Sequence, residues 1–222
     1  MPKIKTLVLQ FANNISAAEI PQFRGAVIAS LEQNNILYHN HEANGVVYRY
    51  PRIQYKRLHQ KAAIVCVNEG VEAIHELFSL GNFLYHIGRR EEEMLIQSID
   101  TFETDMDFCD EMRGYRLRNW LPLNSENYKE YQSLERLADK VVFLEEKLIG
   151  NLLSLFSSIH YHVDHQIELS ITSILNQRVV KYKNVKLMAF DVEFKVNMNL
   201  PSYIGLGKSV SVGFGTLTRN SN

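Results

Sequence analysis

Two histidines one residue apart, His39 and His41, have the chemistry and the spacing for acid–base catalysis. An imidazole with an ordinary pKa of about 6.5 exists in both protonation forms near neutral pH, so one ring can accept a proton while the other donates one. In an extended segment the two side chains share a face, roughly 6.6 Å apart at about 3.3 Å per residue, which is enough to bracket a phosphate. Taken alone, the pair is explained more simply as two polar residues in a loop.

Cations follow the histidine pair closely. Residues 39–61 contain one acid, Glu42, and five basic residues: Arg49, Arg52, Lys56, Arg57 and Lys61. Scission of an RNA strand needs a base, an acid and groups that stabilise charge on the phosphorane. Four residues after the pair could orient the phosphate or stabilise that charge: Tyr48, Arg49, Arg52 and Lys56. The Tyr48 hydroxyl could also take the place of one histidine in proton transfer.

A glycine-rich segment near the other end of the chain is the second candidate site. It contains Gly205, Gly207, Gly213 and Gly215, with Lys208 among them. Because glycine has no Cβ, the backbone can adopt positive φ and its N–H groups can approach phosphate oxygens closely. A nucleotide-binding P-loop is not indicated, since its first glycine would fall on Ser202 and no helix is predicted to follow. A glycine-bearing hairpin explains the segment equally well.

The elements that position these residues alternate between strands and helices. Strand-like runs cover residues 5–11, 46–50, 62–67 and 94–102, and helical periodicity covers 16–31 and 71–80. This order predicts a ferredoxin-like βαββαβ domain, with Ser16 and Glu19 as a capping box before its first helix. The second half combines a long amphipathic helix, with apolar residues from Leu134 to Leu155, and strands over 166–175 and 185–199. We therefore predict an α+β protein of two ferredoxin-like domains in tandem, residues 1–108 and 109–222.

Charge is unevenly distributed. Residues 91–111 contain nine acids and no Lys or Arg while the whole chain has a net charge of −1, so the remaining residues sum to +8. This separation fits a phosphate-binding surface on one side of the fold, although solvated strand faces explain it as well. No apolar run reaches membrane-spanning length, no secretory leader is recognised, and Cys66 and Cys109 lack disulfide or zinc-site spacing. We expect a cytoplasmic protein with no membrane partner.

A second group of histidines offers a rival chemistry. His160, His162 and His165 follow an H-x-H-x-x-H pattern with Asp164 alongside, and could ligate a transition metal if the loop curled. There is no nearby cysteine and no clear fourth ligand, so a structural or RNA-facing role is favoured. We expect no metal and no cofactor.

Two stretches of sequence carry a resemblance to a known family. Residues 205–217, GLGKSVSVGFGTL, resemble the Gly-rich loop near the C-terminus of the repeat-associated RNA-binding (RAMP) proteins of CRISPR systems, a superfamily built from ferredoxin-like domains. Residues 37–41, LYHNH, followed by residues 48–56, YRYPRIQYK, resemble the active-site region of one branch. That branch is the repeat-cleaving endoribonucleases of the Cas-six family, subtype b.

The resemblance implies a metal-independent endoribonuclease that cuts CRISPR precursor RNA within the repeat by 2′-OH attack. The candidate catalytic residues are His41 first, then His39 and Tyr48, with base and acid unassigned. The expected partners are the precursor and the mature guide RNA, and a second copy of the chain and a CRISPR interference complex are left open as further partners. The alternative function is a non-cleaving RNA-binding subunit of an interference complex.

Overall fold

The computed structural model describes residues 3–31, 41–42, 45–46 and 50–220, with the backbone alone for 41–42 and 45–46. The chain divides into two compact units. The N-terminal unit comprises Lys3–Thr104 together with Val210–Gly213, and the C-terminal unit comprises Asp105–Ser209 together with residues 214–220. The sequence-based boundary lay between residues 108 and 109; the units divide four residues earlier, and a short stretch from the far end of the chain belongs to the first unit.

The N-terminal unit has the predicted order of strands and helices. Its elements are β1 (Lys3–Asn14), a 3-10 turn (Ala17–Glu19), α1 (Ile20–Ser30), β2 (His41–Glu42), β3 (Gly45–Val46), β4 (Ile53–Leu58), β5 (Lys61–Val67), α2 (Glu69–Ser79), β6 (Leu84–Ile87), β7 (Arg90–Glu93) and β8 (Ile96–Asp105). The main sheet has the strand order β4-β5-β1-β8, with β5 antiparallel to both neighbours. Strands β2 and β3 pair with each other, as do β6 and β7. With these two hairpins set aside, the chain follows the βαββαβ pattern. Its second strand, however, is β4 (Ile53–Leu58), which pairs with β5, and not the run predicted at residues 46–50.

Helix α1 covers the sheet through an aromatic core. The backbone N–H of Ser16 donates to the Glu19 carboxylate at 2.8 Å, which satisfies one of the N–H groups left over at a helix start. Phe23 is completely buried, and its ring contacts Phe11 and Tyr55 edge-on, each at 5.7 Å between centroids. Burial of one such ring contributes about 2–3 kcal/mol, so this cluster fixes α1 against β1 and β4.

The C-terminal unit repeats the sheet order, but it has both of its helices between the first and second strands and none between the third and fourth. Its elements are β9 (Phe108–Trp120), α3 (Ser125–Ser133), α4 (Leu137–Ser158), β10 (Leu169–Tyr182), β11 (Val185–Met198) and β12 (Thr216–Arg219). The strand order is β10-β11-β9-β12, so the unit has the same sheet order as the first. Residues 199–215, all of them described, contain no helix, and the glycine-rich segment occupies the place of the second helix of the pattern.

Two details of the second unit differ from the sequence-based prediction. The apolar stripe of α4 is buried from Leu144 to Leu155, but Leu137 at its first turn is 70% exposed, because Leu134 is already extended and separates α3 from α4. Strand β10 continues past Leu175 because its polar residues stay paired with β11 as far as the turn at Lys183 and Asn184. Both turn residues have positive φ, which matches the right-handed twist of a hairpin. None of the described helices has the length and apolar character required to cross a bilayer.

Candidate nucleic-acid interface

The two stretches that carry the family resemblance meet at one edge of the N-terminal sheet. Strand β4 is an edge strand, and the backbone N–H of Tyr55 donates to the carbonyl of Ser211 at 3.0 Å. Tyr55 and Val212 form a parallel bridge, and Val210 and Val212 are both buried. The middle of the glycine-rich segment therefore continues the sheet beside the YRYPRIQYK strand, although more than 150 residues of sequence separate the two.

Gly213 makes this approach possible. Its φ is +90°, and a Cβ on it would lie 2.6 Å from Ile20 Cδ1 and 3.5 Å from the Tyr55 carbonyl oxygen. A side chain would be strained in that backbone conformation and would collide with the first residue of α1. The sequence predicted a glycine that brings the backbone close to a ligand, whereas this glycine brings it close to the protein.

The other glycines of the segment are packed within the C-terminal unit. A Cβ on Gly207, at φ +91°, would lie 2.8 Å from Trp120 Cδ1, so the segment lies directly against the buried indole. Gly205 is buried and bridges Thr216, and the N–H of Gly215 donates to the carbonyl of Asn119 at 3.0 Å. Binding of phosphate by their backbone groups stays a prediction.

Lys208 is the cation of the segment. Its Nζ donates to the carbonyl of Leu123 at 3.1 Å, and its backbone N–H donates to the carbonyl of Leu121 at 3.3 Å. Partial burial lowers the pKa of the Lys208 ammonium. The residue as a whole is nevertheless exposed, so the charge stays within reach of a ligand at the surface.

Arg52 and Lys56, both predicted to contact phosphate, are held inside the N-terminal unit. The Nε of Arg52 lies 2.8 Å from a Glu69 carboxylate oxygen at the start of α2, and the Arg52 side chain is 13% exposed. Lys56 is completely buried, and burial lowers its pKa to about 7. A cation with no exposed surface does not reach a ligand outside the protein, so this conformation does not support Lys56 as a phosphate contact.

The catalytic candidates are only partly covered by the structure. His39, Tyr48 and Arg49 lie outside the described residues. His41 begins β2, where its backbone pairs with Val46 of β3. The backbone at His41 is therefore extended, but residues 39 and 40 lie outside the described residues, so an extended 39–41 segment stays a prediction. Catalysis by the three candidates stays a prediction.

The second histidine group, His160, His162 and His165, does not form a metal site in the structure. The His165 ring stacks on Phe108, with 5.1 Å between centroids, and its Nδ1 lies 2.6 Å from an Asp164 carboxylate oxygen. This hydrogen bond is the main reason that the pKa of Asp164 lies below its usual value. Across residues 3–31 and 50–220, no three His, Cys, Asp or Glu side chains are grouped as ligands for a metal ion.

One basic surface was not singled out by the sequence. The tip of the β10–β11 hairpin carries Lys181, Lys183 and Lys186, all exposed, and residues 169–190 contain no acid. The Lys183 ammonium lies 5.7 Å from the centre of the Tyr182 ring, which also contacts Phe214 edge-on at 5.6 Å. We call residues 181–186 the basic hairpin. In the sequence this surface corresponds to the run KYKNVK at residues 181–186, whose lysines were included only in the net charge of the chain outside residues 91–111.

A groove lies between the basic hairpin and helix α3. Its volume is about 490 Å³, and its lining includes Tyr128, Lys129, Val179, Lys186 and Met188. Rings and lysines next to an apolar floor are the groups that proteins use to bind unpaired nucleotides. The groove could not be recognised in the sequence, because more than 45 residues separate its two walls.

Two family models match nearly the whole chain. The model of the Cas6b N-terminal domain matches residues 2–105, and the model of the Cas6b C-terminal domain matches residues 107–220. Cas6b is subtype b of the Cas-six family, so the family resemblance stated from residues 37–56 and 205–217 is confirmed.

Individual proteins are also similar to this chain. A protein of Methanocaldococcus jannaschii, described as uncharacterized, is 40% identical over 100 residues, which are 45% of this chain and 67% of that protein. Two solved structures are similar over 99% of this chain and 100% of theirs. One, described as Cas6b, has a TM-score of 0.90 at 24% identity, and the other, described as the CRISPR RNA processing endoribonuclease Cas6b, has 0.76 at 22%. This likeness confirms the tandem ferredoxin-like fold.

Proposed function

Because the chain belongs to the Cas6b family, we propose that it is an endoribonuclease that processes CRISPR precursor RNA by cutting within the repeat. The reaction is attack by a ribose 2′-OH on the adjacent phosphate, without a metal ion. A base removes the 2′-OH proton as the O2′–P bond forms, and an acid protonates the 5′-oxygen as the P–O5′ bond breaks. The products are a 2′,3′-cyclic phosphate upstream and a 5′-hydroxyl downstream.

The observation that carries the proposal is the contact between the two family stretches. The hydrogen bond from Tyr55 to Ser211 and the bridge from Tyr55 to Val212 join the strand after the histidine pair to the glycine-rich segment. An active site needs base, acid and phosphate-binding groups within a few ångström of one linkage. A fold that joins these stretches supports a common site for them.

Within that site, His41 and His39 are the proposed base and acid, with Tyr48 as the alternative to either. Arg49 is the proposed cation for the phosphorane, since Lys56 is buried and Arg52 is engaged by Glu69. Gly213 in the N-terminal unit, and Lys208 with the glycine backbone at 205, 207 and 215 in the C-terminal unit, are the proposed contacts to the RNA backbone. The basic hairpin and the groove beside α3 are proposed as a further RNA-binding surface of the C-terminal unit.

Cleavage of labelled repeat RNA by the pure protein tests the proposal. We expect one discrete cut that persists in EDTA and disappears when the nucleotide before the scissile phosphate is 2′-deoxy. His41→Ala should slow the cut by about 10²-fold or more, the usual contribution of one proton-transfer group, with RNA affinity unchanged. His75→Ala, an exposed histidine on α2, is the matched control and should cut at the normal rate.

Each arm of this assay can contradict the proposal. Loss of cleavage in EDTA, restored by Mg²⁺, would replace acid–base chemistry by metal-assisted hydrolysis. Tight binding of the repeat with no cut at any protein concentration would favour the non-cleaving subunit of an interference complex. Equal rates for His41→Ala and His75→Ala would remove His41 from the reaction.

A further inference from the structure

The outer edge of strand β8 has no role in the cleavage reaction proposed above. In the part of the chain that the structure describes, β8 has a strand partner on one side only, namely β1. It is a full ten residues long, and every residue in it is exposed or half-exposed. Edge strands of soluble proteins are usually protected by charged side chains, lysine above all, or by proline, a bulge or short length. The β8 sequence IQSIDTFETD is long and contains neither proline nor lysine, and its charges are all acidic, so it is protected against acidic strands but not against basic ones.

Apolar side chains stand out on this strand. Ile96, Ile99 and Phe102 are between 40% and 48% exposed, and Leu95 just before them is 56% exposed. Side chains alternate between the two faces of a strand, so Ile96 and Phe102 share one face with Asp100, and Ile99 lies on the other. A cluster of exposed large apolar residues on an open edge is typical of a surface that pairs with another chain.

The charge around β8 decides what kind of chain that is. Residues 91–111 carry nine acids and no Lys or Arg. Two lysines from other strands contact β8: Lys3 lies 3.9 Å from Glu103, and the Lys61 ammonium donates to the Gln97 side chain at 2.5 Å. The acids outnumber them, so a phosphate backbone would be repelled by this surface. A second copy of β8 would place another acidic strand beside this one, and like charges across a strand pair destabilise it. A basic partner has neither problem.

We propose that the edge of β8 is the docking site for an extended, lysine- or arginine-bearing segment of a protein partner. The partner strand adds to the sheet beside β8, with main-chain hydrogen bonds for affinity. Its apolar residues cover Ile96 and Phe102 on one face of the strand, and its cations face Glu103 on the other. The site is separate from the proposed cleavage site, so either can fail without the other.

Synthetic peptides test this proposal directly. The probe is a labelled ten-residue peptide of alternating lysine and valine, titrated into the whole protein at physiological salt and followed by fluorescence anisotropy. We expect saturable binding with a dissociation constant tighter than about 1 mM. A peptide of the same charge with proline in place of valine cannot donate the main-chain hydrogen bonds and should bind at least tenfold more weakly. A glutamate–valine peptide should not bind.

Variants locate the site. Glu103→Lys and Phe102→Lys should each weaken the lysine–valine peptide at least tenfold, and Leu137→Lys, on the exposed first turn of α4, should leave it unchanged. All three should cleave repeat RNA at the normal rate. Equal binding of the proline and valine peptides would mean that charge alone attracts them and would overturn the proposal. So would displacement of the peptide by repeat RNA, or no binding at all.

Discussion

The buried ammonium of Lys56 makes the stability of the protein depend on pH in a way that one substitution should remove. Burial lowers the pKa of Lys56 to about 7, whereas an unfolded lysine titrates near 10.4. Between these two pKa values the unfolded chain binds more protons at Lys56 than the folded chain does. The free energy of unfolding therefore rises with pH from about 7 upward, and this contribution of Lys56 is lost at lower pH. The slope is at most about 1.4 kcal/mol per pH unit, which gives between about 1 and 2 kcal/mol from pH 7 to pH 8.5.

Lys56→Met keeps an unbranched side chain of similar length and removes the titrating group. We expect the free energy of unfolding of the variant, relative to that of the original chain, to fall by between about 1 and 2 kcal/mol from pH 7 to pH 8.5, because only the original chain carries the group with the lowered pKa. The pH range stops there because burial raises the pKa of the Cys66 thiol, and that group destabilises the fold once the unfolded thiol ionises.

Urea denaturation at pH 7.0, 7.5, 8.0 and 8.5, followed by circular dichroism, measures the difference. Lys181→Met removes an exposed lysine from the basic hairpin, and its effect should be small and the same at each pH. A stability difference between Lys56→Met and the original chain that does not change with pH would refute the reasoning, since it would mean that Lys56 keeps its charge in the folded protein.

Three further outcomes follow from the contacts. Gly213→Ala should lower the free energy of unfolding by about 1–3 kcal/mol in chemical denaturation, because alanine is strained at φ +90° and its Cβ would meet Ile20; Gly25→Ala, at a helical position with open space around the added Cβ, should be neutral or stabilising. Gly207→Ala should destabilise by a similar amount and alter Trp120 fluorescence, since the added Cβ would lie 2.8 Å from the indole; unchanged emission would mean that the segment does not rest on Trp120. Lys183→Ala and Lys186→Ala should each weaken binding of a 2′-deoxy-blocked repeat RNA and reduce the slope of log affinity against log salt by about 0.7, as expected for one lost contact to a single-stranded phosphate; Lys147→Ala on α4 is the control, and an unchanged slope for both hairpin variants would remove the basic hairpin from the RNA surface.

Most of the fold could be predicted from the sequence because its signals are local. The capping box at Ser16 and Glu19 and the periodicity of α1 and α2 act within one or two helical turns. The apolar, β-branched runs of β1 and β5 are likewise signals that lie within a single strand. The end of β10 was placed too early because its pairing partners in β11, not its own residues, decide how far it continues.

The site was less predictable because its contacts are not local. A lysine in a strand is ordinarily taken as solvent-exposed, but Lys56 is buried because Gln54, Tyr55 and Lys56 are all covered, so that both faces of β4 lie inside the unit. Positive φ at Gly207 and Gly213 was expected from residue type. What approaches each glycine depends on Trp120 and Ile20, which no spacing rule connects to them.

The two edges of the N-terminal sheet differ in a way that joins the cleavage and docking proposals. The β4 edge is closed by residues 210–213 of the same chain, so the strand that carries Tyr55 and Lys56 pairs on both sides and is held in register. The β8 edge has a sheet partner on one side only within the described residues, and exposes apolar side chains among acids. Since a sheet can be extended only at an open edge, a partner strand would add at β8 and leave the glycine-rich segment and its contact with β4 undisturbed. If both proposals hold, RNA and a basic protein segment bind at opposite edges of one sheet.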